Sequence, residues 1–222
     1  MENYFHSSPK NFQRRLIRFY KQKFINLMKL KLKHELKNCK SFVELGCGVK
    51  SPAIEYVRNI RTVGIDRYLP SLRANKKSGY FEDYILADLT HLPLKDNSFD
   101  CVAAFDVIEH LTKPQAKQLI EDMEKVSIKK VIIFTPNGFN PKCHLEDDNP
   151  LQVHKCGWTM DEFSNRGYAV YGVDGVLSLR GEYASATIKP EILGSLLSRL
   201  SDPFVYRCPT TAFHLLCIKT KS

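Results

Sequence analysis

The chain has 222 residues, 43% of them hydrophobic and 26% charged, enough for one large α/β domain that buries most of its apolar surface without covalent staples. Its seven cysteines (39, 47, 101, 143, 156, 208 and 217) are odd in number and contain no Cys-x-x-Cys pair, which excludes a disulfide framework and points to reduced thiols in a cytoplasmic protein. Residues 1–15 are too polar and basic for a secretory signal, no run approaches the ~20 apolar residues of a membrane span, and the net charge of +9 is local: residues 1–40 hold eleven Lys and Arg against Glu2 and Glu35.

The first predicted element is a helix over residues 10–38. Phe12, Leu16, Phe19, Tyr20, Phe24, Leu27 and Met28 recur at three- and four-residue steps with basic residues between them. Residues 1–40 are therefore set apart as a basic amphipathic segment, and 41–222 as the main domain. Past Lys40, short apolar runs alternate with helical stretches: Phe42–Leu45, Thr62–Ile65, Tyr84–Leu86, Cys101–Phe105 and Val131–Phe134. This is the pattern of a βαβ series, a mostly parallel sheet with helices on both faces.

A helix is predicted over Lys113–Lys125, opened by Pro114 and a capping box of Thr112 with Gln115. Residues 136–158 read as a long loop rich in Pro, Asn, Asp and His, a length that suggests function. A second capping box, Thr159 with Glu162, opens a helix through Arg166, stopped at Gly167. Ala169–Val173 and Phe213–Ile218 are the final strands. Residues 176–211, with an apolar helix over Glu191–Leu200, form a lid or edge cover.

The chemistry concentrates where strands end. After Phe42, Val43, Glu44 and Leu45 come Gly46, Cys47 and Gly48, then Ser51 and Pro52, which suit the N-cap and first turn of a helix. Glycine lets a backbone turn tightly and approach a ligand that a Cβ would exclude. Asp66 closes the second strand twenty residues after Gly46, where a carboxylate accepts hydrogen bonds from ribose hydroxyls. Asp88 follows the third strand, placed to bond an adenine amino group, with Leu89 offering an amide and apolar contact. Ligands of open α/β sheets bind at these carboxyl ends.

Together these residues resemble the class I S-adenosylmethionine-dependent methyltransferases, and among them the type 11 methyltransferases, over about residues 40–175. Glu44 to Gly48 is similar to the motif that wraps the methionine part of the cofactor. Gly64, Ile65 and Asp66, with Arg67 following, resemble the ribose-binding turn, and Ala87, Asp88 and Leu89 the adenine contact. The stretch from Leu92 to Asp100, continuing through Asp106 to His110, is similar to the run leading to the active-site edge. Thr135 to Asn137 and His154 to Thr159 resemble the segments that complete it. The third glycine usual in the first motif is replaced here by Lys50 or Ser51.

The resemblance implies a Rossmann-like α/β fold, a seven-strand mostly parallel sheet with an antiparallel last strand. It implies S-adenosylmethionine as cofactor and S-adenosylhomocysteine as product. The expected cofactor contacts are Glu44, Gly46, Cys47, Gly48, Asp66, Arg67, Asp88, Leu89 and Asp106. The function expected is methyl transfer to O, N or C of a small-molecule acceptor.

His110 and His154 are the candidate bases, imidazole being a proton acceptor near neutral pH. Asp106, Glu109 and His110 also share the spacing with which some ubiquinone-pathway and small-RNA end methyltransferases hold a divalent metal, with His154 as a further donor. Cys143, His144, His154 and Cys156 contain zinc-type donors without a standard spacing. We assign no metal from the sequence.

The basic N-terminal segment has three readings: a packed cover on the substrate side, a membrane-surface helix, or a phosphate-binding footprint for RNA. RNA methylation and a non-catalytic cofactor-binding domain stay open as alternatives. DNA base methylation is disfavoured, because no Asn-Pro-Pro-Tyr or Pro-Cys follows the fourth strand, and a nicotinamide enzyme ranks last.

Overall fold

A computed structural model describes residues 27–141, 149–179, 187–189 and 191–221. Its elements in chain order are α1 (Leu27–Leu36), β1 (Ser41–Leu45), β2 (Arg61–Asp66), α2 (Leu69–Ser78), β3 (Asp83–Leu86), β4 (Phe99–Phe105), α3 (Lys113–Val126), β5 (Ser127–Pro136), α4 (Met160–Ser164), β6 (Ala169–Val176), α5 (Glu191–Leu200), α6 (Asp202–Arg207) and β7 (Ala212–Thr220).

The seven strands form one sheet in the order β3-β2-β1-β4-β5-β7-β6. β1 to β5 pair in parallel, and β7 runs antiparallel to both β5 and β6. This is the seven-strand, mostly parallel arrangement expected of the sequence.

β4 is buried along its whole length, which explains why it reads as a continuous apolar run rather than an alternating one. Alternate residues feed two cores. Val102 and Ala104 join Val43, Leu45, Val131 and Ile133 under Ala116, Leu119, Ile120 and Met123 of α3. Cys101, Ala103 and Phe105 join Phe42, Ile132 and Phe134 under Leu32 and Leu36 of α1. Truncating a side chain such as Ile120 or Met123, neither of which is exposed at all, costs ~2–5 kcal/mol in such a core.

Both capping boxes form, Thr112 with Gln115 and Thr159 with Glu162. The helix expected directly after Gly48 does not. Ser51 and Pro52 lead only into a 3-10 turn over Ile54–Tyr56. The reason is local: the Ser51 hydroxyl donates to the Glu44 carboxyl and accepts from the Ala53 amide at 3.1 Å, a closed turn rather than a helix cap.

Of the helix expected over 10–38, Leu27–Leu36 is helical and residues 1–26 lie outside the described residues. α1 packs into the same core as β1, β4 and β5 rather than standing apart. Lys31 bridges Glu35 at 2.8 Å and lies 4.6 Å over the Tyr171 ring, and Lys130 of β5 pairs with the same carboxylate. Burial alone would raise the Glu35 carboxyl, but Lys130 and Lys31 outweigh it and hold it below its usual range. Between residues 176 and 211, α6 packs tightly on β6: a Cβ on Gly172 would lie 2.1 Å from the Val205 carbonyl oxygen. Among the described residues no helix is long and apolar enough to cross a membrane.

Candidate functional site

The carboxyl ends of β1, β2 and β4 carry the glycine turn and its acids. Gly46 and Gly48 adopt left-handed backbone, φ +69° and +51°. The amides of Gly46 and Cys47 both donate to the Ile65 carbonyl, at 2.7 and 3.0 Å, so the turn folds over the end of β2. A Cβ on Gly46 would lie 2.5 Å from Val107 Cγ2, whereas Gly48 faces open space.

Asp66 accepts the Gly48 amide on Oδ2 at 2.8 Å and the Tyr68 amide on Oδ1 at 2.7 Å. It thereby ties the turn to the second strand and keeps lone pairs toward the crevice. Asp88 accepts the Thr90 amide and hydroxyl on one oxygen and pairs Arg67 at 3.0 Å through the other. Those Thr90 bonds, with Arg67 adding, hold its carboxyl below the usual range. Arg67 and Asp88 are both well exposed, so the pair itself adds at most ~1 kcal/mol.

These residues line one crevice. Gly46, Gly48, Asp66, Arg67, Asp88, Leu89, Asp106 and His110 all face it, together with Tyr68, Ser71, Asn149, Gln152 and Lys155. A second cavity opens on the α1 side of the same turn. Glu44 and Cys47 line that one, with Ser51, Met28, Phe105 and Phe134; Gly46, Gly48, Asp106 and Gln152 face both. Asp106 stands at the junction, in left-handed backbone (φ +53°), with its amide bonded to the Phe134 carbonyl at 2.9 Å.

Glu44 is 1% exposed, and burial, with Asp66 adding repulsion, pushes its carboxyl up to about 8. It is therefore neutral at physiological pH. Burial likewise raises the Cys47 thiol, which rules it out as a thiolate nucleophile.

His110 and His154 come together, ring centroids 4.9 Å apart. The joint is made by Glu109, whose carbonyl accepts the amides of Lys155 and Cys156 at 2.7 and 3.2 Å. Nδ1 of His110 lies 3.3 Å from the Val153 carbonyl, and Nδ1 of His154 lies 2.5 Å from that of Asn140. The carbonyl acceptors place the hydrogen of each imidazole on Nδ1. Glu109, His110 and His154 bring one donor atom each within 4.8 Å of one another, a set that could hold a divalent cation; Asp106 is not among them. Cys143 and His144 lie outside the described residues, as do residues 1–26, which hold six of the eleven basic residues of the N-terminal segment.

Sequence reasoning missed Asn75. This fully buried side chain of α2 donates to the carbonyls of Cys47 and Gly48 at 3.2 and 3.0 Å, and Tyr84 donates in turn to its Oδ1 at 3.1 Å. A polar residue midway along a helix, on its buried side, is the only sequence signal it leaves. Met28, Phe134 and Gln152 were missed as well, because they reach the turn from distant segments.

A family described as a methyltransferase domain matches residues 43–134. An uncharacterised protein of Methanocaldococcus jannaschii is 30% identical over 124 residues, which are 55% of this chain and 53% of that one, so the chain spans about half the length of this relative. Among solved structures, a SAM-dependent methyltransferase of Archaeoglobus fulgidus superposes with a TM-score of 0.55 at 18% identity, over 88% of this chain and 93% of that one. The magnesium protoporphyrin IX methyltransferase of Synechocystis, with bound SAM, gives 0.52 at 13% identity over 100% and 87%. The small RNA methyltransferase HEN1 gives 0.55 at 18% identity over 88% and 25%. At these identities the structural likeness is one of fold.

Proposed function

We propose that the chain is a class I S-adenosylmethionine-dependent methyltransferase, type 11-like, that binds S-adenosylmethionine in the crevice and methylates a small-molecule acceptor in the adjoining cavity. The observation that carries this reading is the open face of Gly48 between Asp66 and Asp106, a cradle that any Cβ would narrow, at the junction of two cavities.

The fit is chemical. Asp66, with one lone pair of each oxygen committed to an amide, has others for the two ribose hydroxyls. Asp88 and Leu89 flank the place for the adenine, with Arg67 closing it. Glu44, neutral and tied to Ser51, supports the turn without adding a second charge beside Asp66. Cys47 contributes its backbone and a small inert side chain. Asp106, facing both cavities, is the anionic side chain at the passage between donor and acceptor.

Bound S-adenosylmethionine supplies a methyl group already activated by a sulfonium, so the protein's task is alignment and exclusion of water. Segment 149–155, held by the Glu109 carbonyl, brings Asn149, Gln152 and Lys155 over the crevice as its outer wall. His110, which lines the crevice, and His154 against it are the proposed proton acceptors on that side.

The test is transfer of labelled methyl from S-adenosylmethionine into two pools offered separately: a deproteinised small-molecule extract and total RNA. Label in the small-molecule pool supports the reading. Label confined to RNA overturns the acceptor class while leaving the cofactor site standing.

A further inference from the structure

The lining of the second cavity is asymmetric in charge. Its carboxyl groups are those of Glu44, neutral at physiological pH, and Asp106, which it shares with the crevice. Its one cation among the described residues is Lys50, which lines this cavity and not the crevice. Lys50 is exposed and has no carboxylate partner among the described residues.

The groups that hold an anion at such a turn are normally backbone amides at a helix N-terminus. Here they are committed elsewhere. The amides of Gly46 and Cys47 donate to the Ile65 carbonyl at 2.7 and 3.0 Å, and that of Gly48 donates to Asp66 at 2.8 Å. The Ser51 hydroxyl is closed on Glu44 and on the Ala53 amide, and only a three-residue 3-10 turn follows. Both amide hydrogens of Asn75 go to the Cys47 and Gly48 carbonyls. The ammonium of Lys50 is the charged donor that this accounting leaves over on the second cavity.

Much of the remaining lining is apolar: Met28 of α1, Phe105 at the end of β4, Phe134 of β5 and Pro52. An apolar wall with one unmatched cation fits a ligand with an apolar body and one anionic group. The charges also orient such a ligand. Asp106 stands where the cavity meets the crevice, so an anion there would meet a like charge. Lys50 adds no positive charge to the crevice in which the cationic sulfonium is proposed to lie.

We propose that the acceptor is an apolar acid: its carboxylate pairs with Lys50, its apolar body lies along Met28, Phe105 and Phe134, and its other end faces the passage at Asp106. This deepens the function proposed above and rests on its placing the acceptor in the second cavity. Lys50 holds the acceptor and takes no part in the transfer of the methyl group.

The test uses the full chain and two acids, 2-naphthoate and octanoate, each beside its uncharged carboxamide. Binding is read by ligand-observed NMR titration, with and without S-adenosylhomocysteine, on the wild type, Lys50→Met and Lys50→Arg, all shown to be folded by melting curves. The wild type is expected to bind each acid severalfold more tightly than its amide, a modest preference because the ion pair is exposed, and one that shrinks as salt is raised. Lys50→Met is expected to lose that preference while binding the amides and S-adenosylhomocysteine as the wild type does. Lys50→Arg, which retains the charge, is expected to keep it.

Equal binding of acid and amide by the wild type overturns the proposal, as does a preference that survives in Lys50→Met. A severalfold loss of S-adenosylhomocysteine affinity in Lys50→Met also overturns it, because the lysine then serves the carboxylate of the donor. Wild type that binds no S-adenosylhomocysteine strikes the cofactor site, while the comparison of acid with amide on the same free protein still decides the role of Lys50.

Discussion

The Ser51 hydroxyl donates to the carboxyl of Glu44 in a pocket that excludes water from both, the two residues each being 1% exposed. Because burial lifts the Glu44 carboxyl to about 8, it is protonated in the folded protein at neutral pH and ionised in the unfolded chain. The sign follows: the folded state binds the extra proton, so stability declines as pH rises from about 4.5 to about 8 and levels off above. Glu44→Gln, which keeps the hydrogen bond without the titration, is expected to flatten that part of the stability curve in denaturant titrations at several pH values. An unchanged slope would contradict the account.

Asn75 spans from α2 to the glycine turn with both its amide hydrogens. Asn75→Ala leaves the Cys47 and Gly48 carbonyls without those bonds in a buried place, an expected loss of ~1–3 kcal/mol. Affinity for S-adenosylhomocysteine should fall as well, because Gly48 is no longer held. Thermal melts with and without the ligand read both effects. A variant that loses stability but keeps full affinity would show that Asn75 serves the fold alone.

The two glycines of the turn should fail differently. Gly46→Ala puts a methyl 2.5 Å from Val107 Cγ2 and should destabilise the protein, with partial recovery in the double variant with Val107→Ala. Gly48→Ala meets no protein atom, so its cost in stability should be only the ~1 kcal/mol of a side chain in left-handed backbone, while cofactor affinity drops steeply. A double-mutant cycle for the first and calorimetry for the second check the pair. Additive Gly46 and Val107 effects would contradict the first expectation.

Thiol labelling should follow burial. Cys39, Cys47, Cys101, Cys156 and Cys217 are buried and Cys208 is half-buried. Burial also raises the thiols of Cys47, Cys101 and Cys217. Iodoacetamide on the folded protein at neutral pH should therefore modify Cys208 well ahead of these three, as read by peptide mapping. Rapid labelling of Cys47 would mean that the glycine turn opens readily.

What the sequence made legible was whatever a short run of chain encodes by itself. The central strand β4 is a continuous apolar run because both faces of the sheet are covered there. Gly46, Gly48, Asp66 and Asp88 stand at strand ends, where spacing alone places them around one crevice. The capping boxes at Thr112 and Thr159 are complete within four residues each. The misreading after Gly48 had the same origin: Ser51 and Pro52 look like a helix start, and only the fold shows that Glu44 takes the Ser51 hydroxyl. Asn75, Met28 and Phe134 reach the site from other segments, which no local pattern reveals. The pairing of His110 with His154 needed the Glu109 carbonyl to draw residue 155 back across the loop.

The central claim is that the crevice between Asp66, Asp88 and Gly48 binds S-adenosylmethionine. It is tested most directly by calorimetry of S-adenosylmethionine and S-adenosylhomocysteine on the wild type and on Asp66→Ala, with melting curves to show that both are folded. The account predicts that the wild type binds both ligands and that the variant binds them at least ~10-fold more weakly, the cost of lost hydrogen bonds to a charged acceptor. Well-folded wild type that binds neither ligand would contradict it.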